Sequence, residues 1–216
     1  AYTGTGEFAG VAKGFASLSP AVGTSIMLLM AVGFCMKAAQ VSLRIDWQMH
    51  PALAPTPVSG YISSVLLKIA VFGLVKLFLV FGSVYAQSPD TAGLFSQQAV
   101  MYATAWIGAF TLLYSAVQAM LQNSLKLVFI WSTVSQIGYM VLGVAVGTSL
   151  GMAGGPLHMA NHVFFKDLLF LLVGAVLLRT PAATISELGG VGRQTPVTMC
   201  SSFSWSLAAV GVPHTH

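Results

Sequence analysis

Lys37, Lys68 and Lys166 each stand inside a long apolar stretch of a chain with only nine Lys/Arg and five Asp/Glu in 216 residues. An ammonium at the centre of a membrane span costs about 3 kcal/mol on insertion scales. A segment that keeps one uses it for an ion pathway, a proton relay or a buried ion pair. His158, His162 and Lys166 follow at i, i+4 and i+8, a spacing that lines one helix face. Imidazole titrates near neutral pH and exchanges a proton at either ring nitrogen. The chemistry these residues point to is stepwise proton or cation movement through a membrane.

Other polar residues stand close to them in sequence. Ser64 and Lys68 are four apart, as are Ser59 and Ser63. A hydroxyl one turn from a lysine can hydrogen-bond the ammonium or the water it exchanges protons with. Burial disfavours the charged form of a lysine, which brings its proton exchange toward neutral pH. Lys76 lies nearer the end of the same stretch and reads as a snorkelling side chain. The run Trp131-Ser132-Thr133-Val134-Ser135-Gln136 places hydroxyls, among them Ser132 and Ser135, in mid-span, where they hydrate a break or bond across helices. Asp167 is about 100° around the helix from Lys166 and is expected to tune it from the side. Packing polar groups alone would account for one or two such residues on a face; three ionisable groups favour the relay. A zinc site is disfavoured because no Cys or Glu completes the two histidines. Cys35 and Cys200 have no metal or redox spacing. No nucleophile–base pair, phosphate loop or redox-cofactor motif is visible, so no cofactor is expected.

The elements that position these residues are long and apolar. Hydrophobic residues make up 56% of the chain and charged residues 6%, against about 25% in soluble domains. Mean hydropathy is +0.83. The expected architecture is all-α: a polytopic transmembrane bundle forming one membrane domain over 1–216. Spans are expected at 21–43, 57–86, 96–121, 125–147 and 157–178, with a partial sixth at 197–212. Pro-rich 44–56, Ser-Pro-Asp at 88–90, Gly-rich 151–156 and polar 179–196 separate them. Residues 1–19 fit either a helix end or a loop. The ends read as those of a fragment of a longer polytopic protein. Arg44, Lys126, Arg179 and Arg193 fall on one face, expected to be cytoplasmic. The formal charge of +4 is scattered, which excludes a nucleic-acid footprint.

Three motifs together resemble a known family. They are Lys37-Ala38-Ala39-Gln40 followed by His50-Pro51-Ala52-Leu53-Ala54-Pro55-Thr56-Pro57-Val58-Ser59, then Ser132 through Met140, then His162 through Phe170. The family is the antiporter-like membrane subunits of respiratory complex I, Mrp-type antiporters and energy-converting hydrogenases. The His-Pro-Ala-Leu-Ala-Pro run followed by Lys68 looks most like the hydrogenase-4 and formate hydrogenlyase branch. The resemblance implies an antiporter-like fold with broken helices and proton translocation driven by a redox partner. The chain would then be a non-redox subunit of an oxidoreductase complex in a prokaryotic plasma membrane. Its partners would be other membrane subunits, redox subunits and the lipid bilayer.

Residue by residue, the resemblance implies that Lys37 lies beside a broken helix, with the break between Lys37 and Ser42. Lys68 matches a lysine toward the membrane centre. His158, His162 and Lys166 match a central relay. The glutamate that normally pairs with Lys37 would precede residue 1 and the terminal channel lysine would follow residue 216, and Asp167 stands where the family has a small residue, placed to neutralise Lys166. Two alternatives follow: an Mrp-type cation/proton antiporter subunit, which would need a set of sodium-binding carboxylates, and a degenerate scaffold that only anchors neighbours.

Overall fold

The computed structural model describes residues 10, 14, 18–41, 43, 54–85, 97–179 and 184–210. Residues 44–53 of the connection expected at 44–56, the Ser-Pro-Asp connection at 87–93 and the last two residues of the partial sixth span lie outside them. The described residues are helical apart from short turns and one isolated bridge. Helix α1 is Pro20–Lys37. Helix α2 runs as Thr56–Tyr61, a π turn Ile62–Leu66 and Leu67–Tyr85. Helices α3 (Gln97–Met120), α4 (Leu125–Ala145) and α5 (Ser149–Arg179) follow. A 3-10 turn Ile185–Glu187, a short α6 (Val191–Gln194) and α7 (Pro196–Val210) complete the order. Thr56–Val80, α3, α4 and α5 are long and apolar enough to cross a membrane.

Helix α1 is shorter than the expected 21–43. Its 18 residues rise about 27 Å, just under the hydrocarbon thickness of a bilayer. It stops in a Schellman turn: Gln40 N–H donates to the Cys35 carbonyl (3.1 Å) and Ala39 N–H to that of Met36 (3.1 Å). Glycine usually takes the left-handed position of this turn, but here it is Ala39, at φ 52°. Helical winding therefore stops at Ala38, inside the stretch where the break is expected, and residues 42 and 44–53 beyond it lie outside the described residues. Ala39 is fully buried, so Ala39→Gly is expected to change stability by less than about 1 kcal/mol. Relief of left-handed strain, about 1–2 kcal/mol, offsets loss of a methyl worth about 0.8 kcal/mol. Ala39→Val is expected to lower the melting temperature in detergent clearly below both, because a β-branched residue is a genuine outlier at positive φ.

The Gly151–Pro156 segment, expected as a loop, is instead the start of α5. Thr148 Oγ1 accepts the Gly151 N–H (3.1 Å) as an N-cap. Gly147, at φ 72°, has just ended α4. The true connection is therefore Val146–Thr148. Pro156 sits inside the helix. The glycines serve close packing: a Cβ on Gly155 would meet Val144 Cγ2 at 2.8 Å, and one on Gly151 would collide with the Gly143 carbonyl. At 31 residues α5 is about 46 Å long, more than one hydrocarbon thickness.

Two ties gather the ends of the helices on one face. Lys126 Nζ, at the start of α4, donates to the Ala54 carbonyl just before α2 (3.0 Å). Ser124 bridges Thr184, and Ile185 N–H donates to the Asn123 carbonyl (2.8 Å). The start of α2, the end of α3, the start of α4 and the end of α5 thus lie together, with Lys126 and Arg179 among them. The core packs α1, α2, α3 and α4 around Met27, Leu74, Val71, Ile137, Met140 and Val144. Tyr102, Trp106 and Phe110 of α3 and Phe164 of α5 point outward, as lipid-facing residues do.

Candidate functional site

The first turns of α2 pack directly on the middle of α5. This contact brings Lys68 toward His162 and Lys166. All three side chains are buried: Lys68 is 4% exposed, Lys166 1% and His162 0%. Each lysine finds a main-chain acceptor in place of a carboxylate. Lys68 Nζ donates to the Ser63 carbonyl. That carbonyl lies in the π turn, where the wider i→i+5 winding disturbs the ordinary ladder of backbone acceptors. The π turn also corrects the expected pairing of Ser64 with Lys68. The two are not one regular α turn apart, and the ammonium takes a backbone oxygen. Ser63 and Ser64 are both buried beside it.

Lys166 Nζ donates to the Phe129 carbonyl of α4 (3.1 Å) and lies 5.2 Å from the centroid of the Phe129 ring. Thr133 Oγ1 donates to the same carbonyl (2.8 Å). One backbone oxygen thus serves a hydroxyl and an ammonium. A cation over an aromatic face gains further electrostatic attraction.

Asp167 does not neutralise Lys166. Its Oδ1 points at α2 and lies 3.0 Å from where a Cβ on Gly60 would stand. Only the absence of a side chain at Gly60 admits the carboxylate there.

His162 has both ring nitrogens buried with no hydrogen-bond partner. Its ring lies 4.8 Å from that of Phe165 and 6.1 Å from that of His158, centroid to centroid. His158 is half-buried, and its Nε2 is 2.7 Å from Gln136 Oε1 of α4. No direct side-chain hydrogen bond joins Lys68, His162 and Lys166 to one another among the described residues. Buried polar atoms without partners are rare in native proteins, and ordered water usually satisfies them. The orphaned nitrogens of His162 and the orphaned Ser63 Oγ mark where bridging water fits.

Other expected members of the site fall elsewhere. Ser135 Oγ donates to the Leu112 carbonyl of α3 (3.0 Å), so it fastens α4 to α3 and does not solvate the lysines. Ser132 is half-buried on α4. Lys37 is exposed at the end of α1, outside the buried set. Lys76 is exposed, with its ammonium 5.4 Å from the Phe72 ring centroid. Thr133 and Gln136 were not singled out from sequence. Their signal was present, because both belong to the polar run in α4, but only the packing shows which of its members face α5. No group of His, Cys, Asp and Glu suited to a metal ion occurs among the described residues.

Long apolar helices, one carrying a π turn, around buried lysines and a buried histidine define an integral membrane protein. Over residues 1–216 the chain matches the NADH:quinone oxidoreductase/Mrp antiporter transmembrane family, and it belongs to that family. It is 37% identical over 211 residues to NADH-quinone oxidoreductase subunit L of Mycobacterium tuberculosis, covering 97% of this chain and 31% of that one. It is 30% identical over 210 residues to hydrogenase-4 component B of Escherichia coli, covering 91% of this chain and 30% of that one. The chain therefore spans about a third of the length of these relatives. Its fold matches a chain of the membrane-bound sulfane sulfur reductase, an archaeal respiratory membrane complex. The TM-score is 0.86 and the identity 24%, with 98% of this chain and 42% of that one covered. The relatives are subunits of multi-subunit membrane complexes.

Proposed function

We propose that this chain carries protons across a membrane as part of an antiporter-like subunit of a redox-driven respiratory or hydrogenase complex, in a prokaryotic plasma membrane. The observation that carries the reading is the buried set Lys68, His162 and Lys166. Each lysine is held by a neutral backbone oxygen, and the histidine has both nitrogens free to exchange protons. An ammonium fixed by a carboxylate keeps its proton. One held by a carbonyl pays the desolvation cost with little compensation and can release it. His158, positioned by Gln136, extends the set toward the start of α5, and Lys37 would deliver protons at the break of α1. Redox chemistry belongs to partner subunits. The face that gathers Lys126 and Arg179 is the cytoplasmic one, by the bias of basic loops.

The test uses the full-length subunit in its complex, reconstituted in liposomes with internal pH read by a fluorescent dye. Lumenal pH change is expected to persist in sodium-free buffer and to fall about a hundredfold or more in Lys68→Ala, the range expected when a positioned proton carrier is removed. Transport that requires sodium would transfer the chain to the cation/proton antiporters. Wild-type pumping by an assembled Lys68→Ala complex would remove the lysine from the path.

A further inference from the structure

A second group of buried polar atoms lies away from the lysine set, where the broken end of α1 meets α3. Gln40 is fully buried, and its Oε1 has no hydrogen-bond partner. Its Nε2 reaches only the Ala38 carbonyl, at 3.5 Å. The next residue, Val41, donates its N–H to Thr111 Oγ1 of α3 (3.2 Å), which fixes the turn against that helix. One turn further along the same face stands Ser115, fully buried, with its Oγ unpartnered. Ser115 differs in this from several other helical hydroxyls in this chain. Ser25, Thr104, Thr133 and Ser204 each donate to the carbonyl four residues back, at 2.8–3.0 Å. Ser115 makes no such bond.

We infer that Gln40, Thr111 and Ser115 form a buried, uncharged water-binding site on the α3 side of the helix break. The ligand is water, because the group offers an amide oxygen and two hydroxyls but no carboxylate. A desolvated alkali cation would lack the counter-charge it needs there. A water needs two to four polar partners, and the two orphaned atoms with Thr111 supply that number. The Schellman turn explains why the site lies here. It carries the chain out of helical winding at Ala38–Gln40 and sets the next residue, Val41, against Thr111 of α3, with Gln40 buried beside that tie. If the proposed proton function holds, this water stands three residues from Lys37 and hydrates the break from within the bundle.

The test measures wetness directly, so it does not depend on that function. Ser115→Cys and Thr104→Cys are introduced separately into the full-length protein in its complex. Each is then exposed to a small membrane-permeant methanethiosulfonate, with labelling corrected for the native Cys35 and Cys200. Thr104 lies on the same buried face of α3, but its hydroxyl is satisfied within the helix, so it is the dry reference. Labelling at Ser115→Cys is expected to be about tenfold faster, because thiol reactivity follows access to water. A second substitution, Gln40→Leu, is expected to slow labelling at Ser115→Cys toward the Thr104→Cys rate by filling the site with apolar atoms. Equal labelling of the two cysteines would overturn the inference. So would labelling at Ser115→Cys that Gln40→Leu leaves unchanged. Wild-type pumping in the Lys68→Ala and Lys166→Ala complexes would sink the proton reading instead and leave this water site standing.

Discussion

Lys166→Ala in the assembled, full-length complex is expected to reduce proton pumping by two orders of magnitude or more, with the complex still present in the membrane. Lys166 is one of the largest fully buried side chains, and it contacts a neighbouring helix through one backbone oxygen and one aromatic ring. Removing it costs packing, but Thr133 keeps the Phe129 carbonyl satisfied. The loss therefore falls on proton transfer and not on a stranded acceptor. Positioned proton carriers contribute about 10²–10⁴ to rates. Lys166→Arg separates a relay from a fixed charge. Guanidinium keeps the positive charge and several donors but does not release its proton in proteins. A relay is expected to fail in both variants. A structural or electrostatic role would be largely restored by arginine. Pumping measured with the redox partner turning over distinguishes them, and recovery in Lys166→Arg would remove Lys166 from the relay.

Gly138→Val is expected to produce a large loss of stability. Gly108 of α3 and Gly138 of α4 face each other across a close helix contact. A Cβ on Gly138 would lie 2.7 Å from the Leu112 nitrogen and 2.8 Å from the Gly108 carbonyl oxygen. These neighbours are backbone atoms, which cannot swing aside as a side chain can. The two helices would have to separate, breaking the bond from Ser135 to the Leu112 carbonyl. Overpacking of this kind costs about 1–3 kcal/mol for added methylenes in a packed core, and valine adds three carbons. Small residues hold membrane helices together through close approach, since lipid offers no hydrophobic drive for association. Gly154→Ala is the control. Nothing lies within 4 Å of its would-be Cβ, and alanine favours the helix by about 1 kcal/mol. Thermal melting in detergent is expected to fall by many degrees for Gly138→Val and to hold or rise for Gly154→Ala. Equal melting of both would mean that the α3–α4 contact yields more easily than its geometry implies.

The class of this protein was legible in its sequence because the bilayer imposes strict demands. Long apolar runs with few charges leave only helices that satisfy their own backbone. Isolated lysines and the His158–His162–Lys166 spacing stand out against that background because each is expensive there. A break near Lys37 to Ser42 was expected from motif resemblance; α1 ends there in a Schellman turn at Ala38–Gln40, and most of the chain that would continue the span lies outside the described residues.

What the sequence did not disclose are the features that depend on how one helix meets another. The loop expected at Gly151–Pro156 is helical, because its glycines are spent on close approach to α4 and Thr148 caps the helix before them. Glycine and proline mark breaks in water, but in a membrane bundle the same residues mark contact. The π turn at Ile62–Leu66 has no local signature, and it moved the acceptor of Lys68 from the Ser64 hydroxyl to the Ser63 carbonyl. Asp167 turned to Gly60 because α2 leaves a gap there. Ser135 turned to α3 while Thr133, two residues before it, shares an acceptor with Lys166. A sequence fixes which residues share a helix face. Which neighbour that face meets, and therefore which hydroxyl or carbonyl holds each buried ammonium, is decided only when the helices pack.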